Sequence, residues 1–451
     1  MNRILLAALL LASAQAPLGS TLVAVALPAI ASGLGGDTVH ATTLLVSSYL
    51  VITILFQGPG GRLSDAFGHE RTLWTGIGLF GLGSLIGLVS PSIWLLAVAR
   101  AIMAIGGALV VPSTMALLRV LVKPEHRGRV FGIFGSVMAL SAALGPVIGG
   151  VVVEWFGWRA TFLVSLPFLA IAAVLLRLDP PPPHEADSTR DRGDALRTLD
   201  FTGLAMLLAA LVLITASAKL EGVERIGGLL AGIAAGAGFF IRQWRSEQPV
   251  LDVRLLREPV MAGATAIMAL QNFAMYGLIF QLPAYFEHFR GTAPRAVGFS
   301  LFTMMLGMVV ASPIGGRATD RLGARTAGLI GAAVLLAASL ALCRLQSFAT
   351  PAEAIPYLVL FGLGMGLSSA PAQSSAMAAV PPNRAGTAAG LSSTMRYLGG
   401  MATIAAQAAV LGGDSTVTEG SNLAMVALYT AAALLALTAA FVLPRRSAHK
   451  A

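Results

Sequence analysis

Two short segments of this 451-residue chain carry the same chemical pattern. They are Gly61-Arg62-Leu63-Ser64-Asp65-Ala66-Phe67-Gly68 and Gly316-Arg317-Ala318-Thr319-Asp320-Arg321-Leu322-Gly323. Glycine permits tight backbone geometry. Aspartate can accept from the free N–H groups at a helix N-terminus, and Arg62, Arg71 and Arg321 offer it a cationic partner. One copy alone reads as a solvated turn; two copies at equivalent places are an unlikely accident. Two guanidiniums, Arg100 and Arg396, stand inside apolar runs. A charge at a membrane helix centre costs about 2.5–3.5 kcal/mol, so each should face a cavity or a partner. Gln15, Thr21, Gln271, Asn272, Tyr276 and Gln373 also fall within apolar runs. They could line a pathway or join helices by hydrogen bonds. The acids avoid the middle of these runs, with Glu154 and Glu287 the nearest. All six His lie outside the runs and none has metal-ligand spacing. No Walker loop occurs. No Ser/His/Asp set can be placed on one membrane face, and the lone Cys343 excludes an intrachain disulfide. These residues suit the binding and movement of a solute, with no enzyme chemistry, no metal and no cofactor.

The elements that must position them are set by composition. The chain is 56% hydrophobic and only 11% charged, against about 25% charged in soluble domains. That excludes a soluble globule and a disordered chain. Fourteen apolar runs are long enough to span a bilayer, which takes about 20 residues. They cover 5–30, 42–60, 72–90, 93–118, 128–151, 160–178, 201–219, 226–242, 260–286, 296–315, 326–345, 354–375, 385–411 and 422–443. Arg3 followed by an apolar stretch and small residues at Ala12 to Ala16 has the outline of a signal peptide. The apolar run continues to Ile30, which favours a retained first helix.

With both termini on the cytoplasmic side, most of the 30 Lys and Arg fall in inner segments. Only Arg159, Lys219, Arg225, Arg290, Arg295 and Arg344 fall outside. That asymmetry sets the orientation. The net charge of +9 is therefore spread over loops facing anionic lipid and forms no nucleic-acid patch.

The repeated Asp segment, with Pro124 and Arg127 echoed by Pro381 and Arg384, implies two similar six-helix units. The reading divides the chain into an N-terminal bundle (1–178), a Pro-rich tether (179–200), two inserted helices (201–242), a loop (243–259), a C-terminal bundle (260–443) and a tail (444–451). Parallel repeats of this kind are a transporter architecture with the substrate site between the halves. Within 128–151, Gly145 and Gly149 form a small-xxx-small pair that allows close helix approach, and Pro146 invites a kink.

At these residues the sequence resembles the major facilitator superfamily, and within it the fourteen-helix drug:proton antiporters. The match runs nearly end to end. Gly61 to Gly68 fits the superfamily loop motif. Gly132, then Gly145-Pro146-Val147-Ile148-Gly149-Gly150, is similar to the antiporter motif, with Ser141 where Gly is usual. Gly157-Trp158-Arg159 with Pro167, Leu199-Asp200-Phe201-Thr202-Gly203, Glu247 to Asp252, Pro382 to Ala388 and Arg396 to Gly400 are similar to further family segments.

The resemblance implies an all-helical, multi-pass cell-membrane exporter of small amphiphilic, drug-like molecules. It would work as a monomer, by alternating access, driven by a proton gradient. It further implies a latch at Asp65, helix 5 packing against the opposite bundle, and Arg100 in coupling or substrate handling. One departure stands out. Gly19 occupies the place of the family's helix 1 acid. Glu154 and Glu287 are left as spare proton carriers, and a pathway holding only embedded cations favours neutral or anionic solutes.

Overall fold

The computed structural model describes residues 2–34, 43–181, 200–217, 220, 222–247, 249–292, 294–344, 348–411 and 419–445, and among them it is all-helical. Fourteen α-helices follow in chain order. The first six are α1 (Arg3–Leu34), α2 (Ser48–Phe67), α3 (His69–Leu88), α4 (Ile93–Leu121), α5 (Arg127–Phe156) and α6 (Ala160–Leu178). Then come α7 (Phe201–Ser217) and α8 (Gly222–Arg245). The last six are α9 (Pro259–Arg290), α10 (Pro294–Leu322), α11 (Ala324–Leu342), α12 (Pro351–Ala378), α13 (Ala385–Leu411) and α14 (Glu419–Ala440). The tether expected at 179–200 and the tail at 444–451 fall mostly outside the described residues.

Eleven of these helices are individually long and apolar enough to cross a membrane. The others fall short for identifiable reasons. At 17 residues, α7 is short. Glycine dilutes the hydropathy of α3 and lets it press on its neighbours. A Cβ at Gly83 would sit 2.7 Å from the Ala99 carbonyl of α4, and one at Gly87 would sit 2.5 Å from the Phe162 ring of α6. Polar residues dilute α13, where Ser392, Ser393 and Thr394 are buried inside the protein rather than facing lipid. Large apolar side chains such as Trp94, Val98, Val174, Leu230, Phe299 and Leu435 are exposed on the outside. A soluble protein does not tolerate such a surface; a bilayer supplies its solvent.

The first six helices pack mainly on one another, as do the last six. One apolar core is built wholly from the region of α9 to α14. The two groups meet where α2 lies against α13 and α5 against α10, with α4 touching α13 and α12 touching α5. Helices α7 and α8 pack on each other and reach α2 and α13. Asp200 ties their ends together: it caps α7 at the Gly203 N–H (2.9 Å) and pairs with Arg242 of α8 (2.7 Å). Burial pushes the Asp200 carboxyl up. Arg242, the Gly203 N–H and Gln243 outweigh it and hold the group below the usual carboxylate range.

Candidate functional site: the seam at the basic face

The two Asp segments are not loops. Gly61 to Phe67 continue α2 and Gly316 to Leu322 continue α10. Only Gly68 (φ 95°) and Gly323 (φ 88°) leave the helix, in a conformation that favours glycine. The aspartates therefore project from rigid helix ends.

Each aspartate caps a helix of the other group. The Asp65 carboxylate accepts from the Gly386 N–H (2.7 Å), the Thr387 N–H (2.7 Å) and the Thr387 hydroxyl (2.6 Å), at the first turn of α13. The Asp320 carboxylate accepts from the Gly128 N–H (2.8 Å) and the Arg129 N–H (2.8 Å), at the first turn of α5. The free N–H groups of a helix start carry partial positive charge, so an aspartate there is bound by charge and geometry together. The two caps repeat one arrangement in exchanged roles.

Glycines allow the backbones to come this close. A Cβ at Gly61 would run into the Gly386 carbonyl, and one at Gly386 into the Gly61 carbonyl. Gly316 and Gly128 block each other in the same way. One turn deeper, a Cβ at Gly132 would lie 2.5 Å from the Ser312 carbonyl, and one at Gly390 would lie 2.6 Å from that of Gln57. The Ser136 hydroxyl donates to the Val309 carbonyl across the same seam.

Arg119, in the last turn of α4, adds a third tie. It is buried, and donates through Nε to the Met377 carbonyl (2.6 Å) and through Nη2 to that of Val380 (3.4 Å). A cation there answers the negative C-terminal end of α12. Deeper still, Gln373 donates to the Met115 sulfur (3.3 Å). The loop before α9 lies over one side of the seam. Arg62 donates to the Pro249 carbonyl (3.2 Å), and Asp252 pairs with Arg384 just before α13.

Among the described residues, every hydrogen bond given between the first and last six helices lies toward this basic face. The seam is a closure. Beneath it, buried apolar side chains of both groups pack in one cluster, among them Leu117, Phe131, Met377 and Ala389.

The other predicted residues are dispersed. Arg71 and Arg321 are exposed beside the helix ends. The resemblance implies that Gly145 and Gly149 pack against the opposite group; they do not. They pack on α1 of their own group: a Cβ at Gly145 would strike the Thr21 hydroxyl, and one at Gly149 would lie 3.2 Å from the Leu22 carbonyl. The contacts of α5 with the other group fall at Gly128, Gly132 and Ser136 instead, nearer the basic face. Gly150 meets open space, and α5 runs unbroken through Pro146.

Gln15 is buried and turned to its own helix, donating to the Leu11 carbonyl (3.3 Å). Gln271 is interhelical glue, bonded to Ser368 of α12 (2.5 Å). Asn272 donates to the Met268 carbonyl one turn back (2.9 Å). Tyr276 stacks on Phe280, with ring centroids 6.2 Å apart. Glu154 is exposed in the last turn of α5. The Glu287 side chain lies outside the described residues.

The two embedded guanidiniums differ. Arg100 is fully buried. It donates through Nε to the Leu45 carbonyl (3.2 Å) and through Nη1 to the Gly19 carbonyl (3.0 Å), and lies 3.9 Å over the Tyr49 ring. Its Nη2 has no partner. Gly19 thus meets Arg100 through its backbone, while a side chain there would point at Phe80 (3.1 Å) and Met103 (3.6 Å). Arg396 is only partly buried, and its Nη2 touches the Met268 sulfur (3.7 Å).

Sequence reasoning missed Gly128, Thr387, Gly386 and Arg119 as site residues. The echo of Pro124 and Arg127 at Pro381 and Arg384 marks both capped helix starts, and was the signal available for the first three. Arg119 looked like one more basic residue at a loop.

Residues 9–404 match the Major Facilitator Superfamily, and the chain belongs to that family of transporters, which are not enzymes. Relatives include the MFS-type transporter YvkA of Bacillus subtilis, 31% identical over 88% of this chain and 87% of its own length. The puromycin resistance protein pur8 of Streptomyces alboniger is 32% identical over 86% of this chain and 77% of its own. The tetracenomycin C resistance and export protein of Streptomyces glaucescens is 29% identical over 85% of this chain and 71% of its own. Among solved structures, a bacterial homologue of the iron transporter ferroportin shares the fold. Its TM-score is 0.68 at 14% identity, over 97% of this chain and 98% of that one. The protein is a multi-pass integral membrane transporter.

Proposed function

We propose that the chain is a secondary active exporter of small amphiphilic compounds, of the fourteen-helix drug:proton antiporter kind. All fourteen helices span the cell membrane, with the basic face and both termini cytoplasmic. Helices α1–α6 and α9–α14 are two bundles that rock about a central site, and α7 and α8 are an inserted pair. The observation that carries this reading is the pair of exchanged caps, Asp65 on α13 and Asp320 on α5. They close one face of the pathway with bonds a rocking motion can make and break, as alternating access requires. The outward direction is supported by relatives named for resistance and export; the excess of Lys and Arg on the capped face supports only its cytoplasmic placement.

A proton gradient is the proposed driving force. One observation favours an uncoupled facilitator as the second reading: at Gly19 a side chain would point at Phe80 and Met103, and no carboxylate stands there. Expression of the full chain in a drug-sensitised bacterium tests the first reading. The wild-type chain should lower accumulation of at least one amphiphilic dye or antibiotic. Asp65→Asn should abolish most of that effect at equal membrane abundance. Equal efflux by the variant would remove the caps from the mechanism.

A further inference from the structure

We propose that Arg396 is the docking point for an acidic group on the transported molecule, so that the preferred substrates are amphiphilic organic anions. This rests on the export reading and goes beyond it by assigning the substrate's charge. Arg396 lies eleven residues into α13 (Ala385–Leu411), or about 16 Å along the helix at 1.5 Å per residue. That is roughly the midplane of a 30 Å hydrocarbon layer.

Its position is set by the crossing of α9 and α13. A Cβ at Gly399 would run into the Ala269 carbonyl, and one at Gly400 would lie 2.7 Å from the Tyr276 ring. Arg100, the other embedded cation, is enclosed by two carbonyls and an aromatic face. Arg396 is left open. Among the described residues its guanidinium has one hydrogen-bond contact, the Met268 thioether at 3.7 Å. A thioether is a weak acceptor, and a guanidinium has five N–H donors to place. Every described Asp and Glu lies in a loop or a terminal helix turn, so no described carboxylate stands beside it.

The surroundings suit an anion with an apolar body. The phenols of Tyr276 and Tyr397 are within electrostatic reach of Arg396. Among the described residues neither hydroxyl has a hydrogen-bond partner, so both can donate. A carboxylate or sulfonate would take two parallel bonds from the guanidinium fork. The stacked Tyr276 and Phe280 rings, with Phe280 exposed, offer apolar contact to the rest of the molecule.

The test uses three probes with one body: pyrenebutyric acid, its methyl ester, and a pyrenebutyl trimethylammonium. Binding to the purified full-length protein is read by energy transfer from tryptophan, and transport in proteoliposomes by uptake. The acid should bind at least tenfold more tightly than the ester or the cation. Arg396→Gln should bring the acid-to-ester ratio of Kd close to one. Arg396→Lys, which keeps the charge but not the fork, should hold an intermediate ratio. Tyr276→Phe should weaken the acid several-fold relative to the ester, which covers the case in which the glutamine variant does not yield folded protein.

A wild-type ratio near one, or an unchanged ratio in Arg396→Gln, would overturn the assignment. If the cation is bound and moved best, the export reading stands and this inference fails. If the acid binds best and no probe crosses, the anion site stands and the export reading fails.

Discussion

Arg100 and Arg396 carry the same group in opposite circumstances, which shows how little residue type alone determines. Arg100 fills its surroundings with two carbonyl bonds and an aromatic face, so its role in this state is to hold α4 against α1 and the turn before α2. Removing it loses two bonds from a charged donor, about 1.5–3 kcal/mol each. Arg100→Gln should therefore lower the yield of monodisperse protein and its thermal midpoint; an undiminished midpoint would contradict a structural role. The glycines of α5 can be ranked in the same way. Gly145→Ala collides with Thr21 and should cost folding or transport, whereas Gly150→Ala meets open space and should behave as wild type in both assays. That ranking was not legible in the sequence. The motif marks all of these glycines alike, and which of them faces a neighbour depends on how α1 lies against α5.

At the scale of the element, the proposed latch brings aspartate, glycine and helix start together. Asp65→Asn keeps an acceptor at the α13 start but loses the charge. The helix-end term is worth about 0.3–1 kcal/mol, and up to ~2 when partly buried. That corresponds to a shift of the closed-to-open ratio from about 1.7-fold to about thirtyfold. Asp320→Asn should shift it by a similar factor from the α5 side, read as the labelling rate of Ser136→Cys, at the same seam, in a chain lacking Cys343. Gly61→Leu should do more, since its side chain has nowhere to go but into α13, while Gly78→Ala, with nothing near it, is the matched control. Much of this scale was legible. All fourteen apolar runs coincide with helices, because lipid demands length and hydropathy that a sequence displays directly. Even α3 and α13, which fail a strict hydropathy criterion, were found as runs. The partner of each Asp segment was not legible, since Asp65 and Gly386 are 321 positions apart and no periodicity connects them. Nor did the pattern reveal that the segments are helical to their last residue before Gly68 and Gly323.

For the whole molecule, the two caps tie one face from opposite sides, and among the described residues they share no hydrogen-bond partner. Their free energies should then add, as for independent sites, so the Asp65→Asn/Asp320→Asn chain should shift the closed-to-open ratio by the product of the single factors. A product far from additive would mean that one cap controls the other. The repeat in the sequence implies two similar units. It could not foretell that each unit lends its aspartate to the other, because that exchange is a property of the assembled pair. The most direct test of the account is the luminal pH of proteoliposomes holding the purified full chain, recorded while an amphiphilic compound is moved across the membrane. The account predicts compound-dependent proton movement opposite to the compound, and its loss in the Asp65→Asn/Asp320→Asn chain. Compound movement with no change in pH would contradict the proposed antiport and leave a facilitator; no movement of any compound would contradict export itself.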